Sequence, residues 1–375
     1  MAPVERIGIV GAGAAGLTLG VLLSDAGFDV EVLEKEVDDT NTLGSGITLQ
    51  GNALRVLRDI GVWPELLARG FPCDSLALRA PDLDATVLAV LPDVRTGGDD
   101  LPATLGMYRP DLAAIVRARA EQAGARLTYD ARVSDVSQDD RSVTVTLHTG
   151  EQRQFDVLVG ADGINSVTRR LIGIDVTPAA TGAGAWRAIV PRPADITRSE
   201  LIYGGPLYIA GYCPISDNHM YAYIVEPAHE RDVIADRPEL RRLAGLYGGP
   251  WQDISRAIDD NTAVHYTKFT THLLDGAWHR GRVVLIGDAA HNCPPTIAQG
   301  AAMAIEDAAV LAEELIKARD LDDAVMERFH ERRVPRAREV VESSVQLVRW
   351  LVDKEPNPDI PGVMHRVAAM VKEPA

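Results

Sequence analysis

Three clusters in this sequence combine glycine, carboxylate and proline at spacings that packing alone does not require. The first, Gly11-Ala12-Gly13-Ala14-Ala15-Gly16, is followed 23 positions after Gly11 by Glu34 and then Lys35. Gly11 permits a tight turn, Gly13 lets a pyrophosphate reach the backbone, and Gly16 lets a helix pack close to a strand. A helix opening there offers free N–H groups to an anion, and an acidic side chain about 20 residues on can accept from ribose hydroxyls. The second cluster lies in "RVVLIGDAAHNCPPTIAQGAAMAIEDAAVLAEEL", Arg282 to Leu315. Gly287 and Asp288 end an apolar run, and Pro294 and Pro295 stiffen the turn after it. Gly300 and Ala301 then open a helix whose bare N–H groups can stabilise negative charge. The third is Asp162 and Gly163 in "DVLVGADGINSVTRRLIG", again behind a buried strand. The first cluster has the chemistry of a bound dinucleotide, and by itself it does not separate NAD from FAD.

Holding such groups in place calls for a parallel sheet. "RIGIVGAG" reads as a buried strand and its turn, "AAGLTLGVLLSDAG" as a helix, and "FDVEVLEKE" as a second strand, together one βαβ unit. Pro110 and Asp111 start a further helix with Leu112, Ile115 and Val116 on one side. Residues 125–163 predict a β-meander that returns to a buried strand at Val157–Val159. Stretches 70–100 and 175–270 have short strands and Pro/Gly turns, with a hairpin turning at Ser216, Asp217 and Asn218. Past residue 320 the pattern is helical, with a break or kink at Pro335. The predicted fold is α/β: a Rossmann-like dinucleotide domain of residues 1–70, 101–174 and 275–350, interleaved with a smaller sheet-rich domain of 71–100 and 175–274. Residues 351–375 are expected to form a C-terminal tail.

The totals narrow the partners. The chain has 375 residues, 46% hydrophobic and 25% charged, enough for a large core in two closely packed lobes. A net charge of −16, without a basic block, disfavours nucleic acid. Cys73, Cys213 and Cys293 form no CxxC pair, so neither a disulfide framework nor a zinc site is expected, and a reducing cytoplasm is. The apolar run Ile7–Leu23 has a Gly-rich centre and reads as the βα unit, not as a leader or membrane anchor.

Taken in order, the three clusters resemble the signatures of the single-component (group A) FAD-dependent aromatic monooxygenases, the enzymes of the para-hydroxybenzoate hydroxylase fold. The resemblance implies FAD as cofactor and NADH or NADPH as transient electron donor. It further implies O₂ activation as a flavin C4a-hydroperoxide and hydroxylation of a small electron-rich aromatic or N-heteroaromatic substrate, by a monomer or homodimer. In that light Gly11, Gly13, Ala14, Ala15, Gly16, Glu34 and Lys35 hold the adenosine diphosphate half. Asp288, behind Gly287, accepts a charge-assisted hydrogen bond from the ribityl chain, and the helix at Gly300 and Ala301 faces the flavin pyrimidine. Arg109 is a flavin contact or else a structural ion pair, and Val133 meets the adenine through its backbone. Asp162 contacts FAD or NAD(P)H, or else forms an Asx-type turn. Arg169 and Arg170 read as a solvated helix face. His291 supports the flavin loop and is no metal ligand, since no second ligand stands at the right spacing. Relatives often have Asp-Arg where this sequence has Thr271-His272.

The substrate side is less sharply drawn. Pro295, with Pro294, is expected to keep water from the reacting centre, and Thr48 and Gln50 fall where relatives place side chains near the ring system. Arg187 is expected to pair an anionic substrate group, with Tyr203, Tyr208, Tyr212, Tyr221 and Tyr223 as a phenolic wall. Each tyrosine also reads as a half-buried strand aromatic. Gln50, Arg187, Tyr212 and Pro295 are the candidates nearest the chemistry. A disulfide reductase would need a second GxGxxG and a redox CxxC, and a halogenase the second Trp that "GAWRAIVP" lacks. A flavin oxidase or dehydrogenase without oxygen insertion, and a non-catalytic flavin-binding redox sensor, remain the alternatives.

Overall fold

The computed structural model describes residues 4–38, 45–231, 233–318 and 323–375. The dinucleotide turn sits on a six-stranded sheet ordered His279–Arg280, Val283–Leu285, Val157–Gly160, Arg6–Val10, Asp29–Leu33, Arg126–Thr128. Only the His279–Arg280 edge is antiparallel to its neighbour. Both faces are covered, as the runs of branched apolar residues require. Ile7, Ile9, Val30, Val32, Val157 and Val159 share one core with the helices Ala14–Asp25 and Gly300–Lys317. Val10, Leu33, Leu158 and Val283 belong to another core, shared with the predicted meander strands Val143–Leu147 and Gln152–Phe155. The helix expected at Pro110 runs from Arg109 to Ala123.

An eight-stranded sheet is ordered His291–Asn292, Val264–Leu273, Ala179–Pro191, His219–Pro227, Ile209–Pro214, Ser199–Tyr203, Ser75–Arg79, Val87–Pro92. The hairpin turn at residues 216–218 is present, closed by Ile215 N–H donating to the His219 carbonyl at 3.0 Å. Successive side chains alternate between faces. Trp186, Ala188, Ala210, Tyr212, Ala222 and Ile224 pack with Leu240, Leu243, Trp251 and Ile254 of the helices Arg237–Ala244 and Pro250–Ala257. Arg187, Gly211, Cys213, Tyr221 and Tyr223 are left for the opposite face.

A three-stranded sheet, Gly46–Gln50, Thr104–Tyr108 and Phe71–Cys73, bridges the two larger ones. Phe71–Cys73 therefore pairs here, and the large sheet is entered only at Ser75. Glycine makes the approach possible: a Cβ on Gly106 would lie 2.0 Å from the Pro214 carbonyl oxygen, and one on Gly46 would lie 2.4 Å from Tyr221. The contact brings the Thr48 hydroxyl to the Cys213 thiol at 3.6 Å.

One expectation for the C-terminal region changes. The long helix Asp323–Asp353 contains Pro335 and does not end there. The segment read as a tail contains the helix Ile360–Lys372, because Val363, Val367 and Val371 recur every four residues and bury one stripe. Among the described residues no helix is long and apolar enough to cross a membrane.

Candidate active site

The glycine turn has the geometry its sequence demands. Gly11 adopts φ +104°, and a Cβ there would lie 2.5 Å from the Ala161 carbonyl oxygen. A Cβ on Gly16 would come 2.0 Å from the carbonyl oxygen of Gly11. Gly13 differs, because nothing lies within 4 Å of the position its Cβ would take. That open space faces the start of a helix with no capping side chain, as an anion site requires. Glu34 closes the next strand and accepts from the backbone N–H of Ala12 at 2.8 Å and of Glu36 at 3.1 Å. Lys35 is exposed, and Val133 packs with the core that holds Val10 and Leu33, at the same end of the sheet.

The second cluster lies beside the first. A Cβ on Gly287, which adopts φ +60°, would lie 3.0 Å from the Ala304 Cβ and 3.6 Å from the Ala15 Cβ, so small residues let the two helices and the Asp288 turn converge. The Asp288 side chain is reached by solvent, yet it is surrounded by protein at longer range. That crowding pushes its carboxyl above the usual range, while His291 and Arg109 draw it back. Arg109, exposed at the start of its helix, is therefore within electrostatic reach of Asp288. Beyond Asp288 the chain turns through Pro294, Pro295 and Ala298, the last in the left-handed region at φ +52°. The next helix begins at Gly300 and Ala301 without a side-chain cap.

Behind this wall is an ionic network that sequence reasoning missed. Asp307 accepts from the Gly287 N–H at 2.8 Å and the Arg333 Nε at 2.6 Å, and its Oδ2 lies 2.6 Å from His291 Nε2. Arg333 also donates to Glu306 at 2.8 Å, as does Arg336 at 3.0 Å. Asn52 donates to both Glu306 and Gln299 at 3.1 Å. The available signal was the pair Glu306-Asp307 set into a stripe of alanines, since charges on a buried helix face require partners. His291 supports the Asp288 turn, as expected of it.

The third cluster serves the turn itself. The Asp162 carboxylate accepts from Thr168 N–H at 2.9 Å and from the hydroxyls of Ser166 at 2.5 Å and Thr168 at 3.0 Å, which is the local turn alternative. Arg169 is not on a solvated face. It is buried and donates to the carbonyls of Ala289 at 2.9 Å, Ile164 at 3.0 Å and Val176 at 3.1 Å. It also lies 3.3 Å from His272, whose pKa burial and Arg169 lower to about 4, leaving a neutral imidazole. Arg169 therefore ties the third cluster to the second. Arg170 is solvent-exposed, as expected.

On the substrate side, strand parity decides which sheet face each candidate takes. Arg187 donates from Nε to the Tyr221 hydroxyl at 3.0 Å and from Nη1 to the Thr267 hydroxyl. Among the described residues no carboxylate comes within 4 Å of it. Tyr221 and Tyr223 lie ring to ring at 5.4 Å. Tyr203 and Tyr223 are partly open, yet burial raises both phenols above their usual pKa, so both are neutral hydroxyl donors. Tyr212 faces the other way: it is 1% exposed, donates to Glu200 at 2.5 Å and packs edge-on against Trp251. It is a core residue and is removed from the catalytic and substrate candidates. Tyr208 lies at the rim, within electrostatic reach of Asp353. Gln50 stands at the entry to the helix Gly51–Asp59, next to the Asn52 network.

These residues fit FAD. The open cradle at Gly13 suits a pyrophosphate, Glu34 a ribose, and the solvent-reached Asp288 a polyol chain. The sequence matches the family described as "FAD binding domain" over residues 5–344. It is 32% identical over 357 residues to YetM of Bacillus subtilis, covering 93% of this chain and 94% of that one. It is also 32% identical over 373 residues to 6-hydroxynicotinate 3-monooxygenase of Bordetella bronchiseptica, covering 94% of each. The structure superposes on the tetrameric form of 2-methyl-3-hydroxypyridine-5-carboxylic acid oxygenase with a TM-score of 0.82 at 26% identity, covering 97% of this chain and 96% of the other. Glycine turn, solvent-reached carboxylate and family match agree, and the chain belongs to the FAD-binding family of single-component aromatic monooxygenases.

Proposed function

We propose that the substrate is a ring acid: a hydroxylated aromatic or N-heteroaromatic carboxylate, hydroxylated with NADH or NADPH and O₂. One oxygen atom enters the ring and the other leaves as water. The observation that carries the reading is Arg187, a partly buried guanidinium on the sheet face turned away from the helices, held in place by neutral hydroxyls and, among the described residues, without a carboxylate partner. A guanidinium so placed is suited to an incoming carboxylate. Two relatives support it, since 6-hydroxynicotinate and 2-methyl-3-hydroxypyridine-5-carboxylic acid are both hydroxylated pyridine carboxylates.

Bound FAD, reduced by the nicotinamide donor, supplies the activation of oxygen. The chain's own residues bind and orient. The Gly13 turn and Glu34 hold the adenosine diphosphate half, Asp288 the ribityl chain, and the N–H groups of Gly300 and Ala301 the polar edge of the ring system. Arg187 anchors the substrate carboxylate. Tyr203 and Tyr223 donate hydrogen bonds to the ring hydroxyl, while Pro294 and Pro295 narrow the reaction space against water. Thr48 and Gln50 line the side contributed by the bridging sheet.

The test is NAD(P)H oxidation by the FAD-loaded protein with hydroxypyridine and hydroxybenzoic acids, products being weighed by mass spectrometry. A product heavier by one oxygen is expected. Nicotinamide consumption with peroxide release and recovered acid would establish the oxidase alternative. Arg187→Ala should raise KM for the acid roughly 30-fold, about 2 kcal/mol, and leave KM for the matching neutral amide within twofold. Equal effects on both would remove Arg187 as the anion partner.

A further inference from the structure

Tyr203 also faces a second space. A cavity of about 890 Å³ opens between the loop 203–209 and the C-terminal helices. Leu207, Tyr208 and Ile209 line one wall, and Leu347, Trp350 and Leu351 the other. Thr296 also lines it, which brings the cavity to the turn that begins at Pro295. Tyr203 lines the cavity and, like Tyr223, packs against the small core of Ile209, Val225 and Phe269. The cavity therefore borders the proposed ring site at Tyr203. Its charged groups, Lys354 and Glu355, are both exposed, on the segment after the long helix.

A volume of this size matches pockets that hold drug-sized ligands and exceeds what a single ring with a carboxylate fills. Apolar surface left open to water beside an active site favours a ligand that covers it. We propose that the chamber takes an apolar hydrocarbon substituent of the substrate, so that the preferred ring acid carries an alkyl chain directed past Tyr203 between Leu207 and Leu351. This rests on the ring-acid reading and adds the substituent to it. Arg187 and the chamber then impose opposite requirements on two ends of one molecule, an anionic head and an apolar tail.

The experiment uses the FAD-loaded full chain and hydroxypyridine carboxylates bearing methyl to heptyl chains, with Kd read from the perturbation of flavin absorbance. Each added methylene should tighten binding by about fourfold until the chamber is filled. Leu351→Trp, which fills the chamber, should flatten the series while leaving Kd and kcat for the methyl compound within twofold. Leu207→Trp provides the same block from the opposite wall if Leu351→Trp fails to fold, folding being checked by circular dichroism and FAD content. A flat series in the wild-type chain, or a chain-length gain surviving both variants, overturns the chamber assignment. A gain seen equally with neutral alkyl-pyridones keeps the chamber and overturns the acid head. No flavin perturbation by any member of either series overturns both.

Discussion

Asp307→Ala should lower folding stability by about 3–5 kcal/mol, measured by urea unfolding. Arg333 is fully buried, and Asp307 and Glu306 are its two carboxylate partners. Removing Asp307 leaves half of that guanidinium uncompensated in the core. It also strips the Gly287 N–H and His291 of their acceptor, so the Asp288 turn loosens and FAD affinity falls with stability. Burial pushes the Asp307 carboxyl up, but His291, Arg333 and the Gly287 N–H more than offset this, and the net direction is down. A carboxyl depressed in the folded state contributes stability above its unfolded pKa and loses it as pH falls through the folded value. Acid should therefore cost the wild-type chain stability below about pH 4, and cost Asp307→Ala less.

Asp288→Ala should behave oppositely, harming the ligand and sparing the fold. Losing a charge-assisted hydrogen bond to the ribityl chain should weaken FAD binding by about 1.5–3 kcal/mol, roughly 10- to 150-fold. The ligand-free chain should unfold at the same urea concentration or slightly higher. The sign comes from the raised pKa of Asp288. A carboxyl raised by folding contributes stability while protonated, below its unfolded pKa, and loses it as pH rises through the folded value. Above that folded value the ionised Asp288 is thus a cost to the ligand-free fold. FAD binding to the wild-type chain should weaken as pH falls through that raised value, and the variant should lack this dependence.

How much was legible in the sequence depends on the range of the physics involved. The glycine turn, the hairpin at Ser216–Asn218 and the proline turn are local, since each depends on backbone conformations its own residues favour. The face of the large sheet was not legible. Both sides of Ile209–Pro214 are covered, one by helices and one by the bridging sheet, so alternation alone does not tell Tyr212 from Tyr223. Tyr212 went to the core with Glu200 and Trp251, while Tyr221 and Tyr223 went to the opposite face. Arg169 looked like a surface residue because its partners, the carbonyls of Ala289, Ile164 and Val176, leave no mark in side-chain pattern. The Asp307 network joins residues from Asn52 to Arg336 through space, and only the charged pair in the alanine-rich helix hinted at it. The free thiols Cys73 and Cys213, far apart in sequence, meet for the same reason.

The most direct test asks whether the Gly13 turn and Asp288 grip one and the same FAD, the first at its pyrophosphate and the second at its ribityl chain. Equilibrium titrations with FAD and with ADP would be run on the wild-type chain, Gly13→Val and Asp288→Ala. Nothing lies within 4 Å of the Gly13 Cβ position, so the valine should leave the ligand-free fold intact while occupying the pyrophosphate's place. Gly13→Val should then lose affinity for both ligands, and Asp288→Ala should lose FAD while binding ADP as the wild type does. An Asp288→Ala chain that keeps full FAD affinity, or a Gly13→Val chain that keeps ADP, would contradict the account.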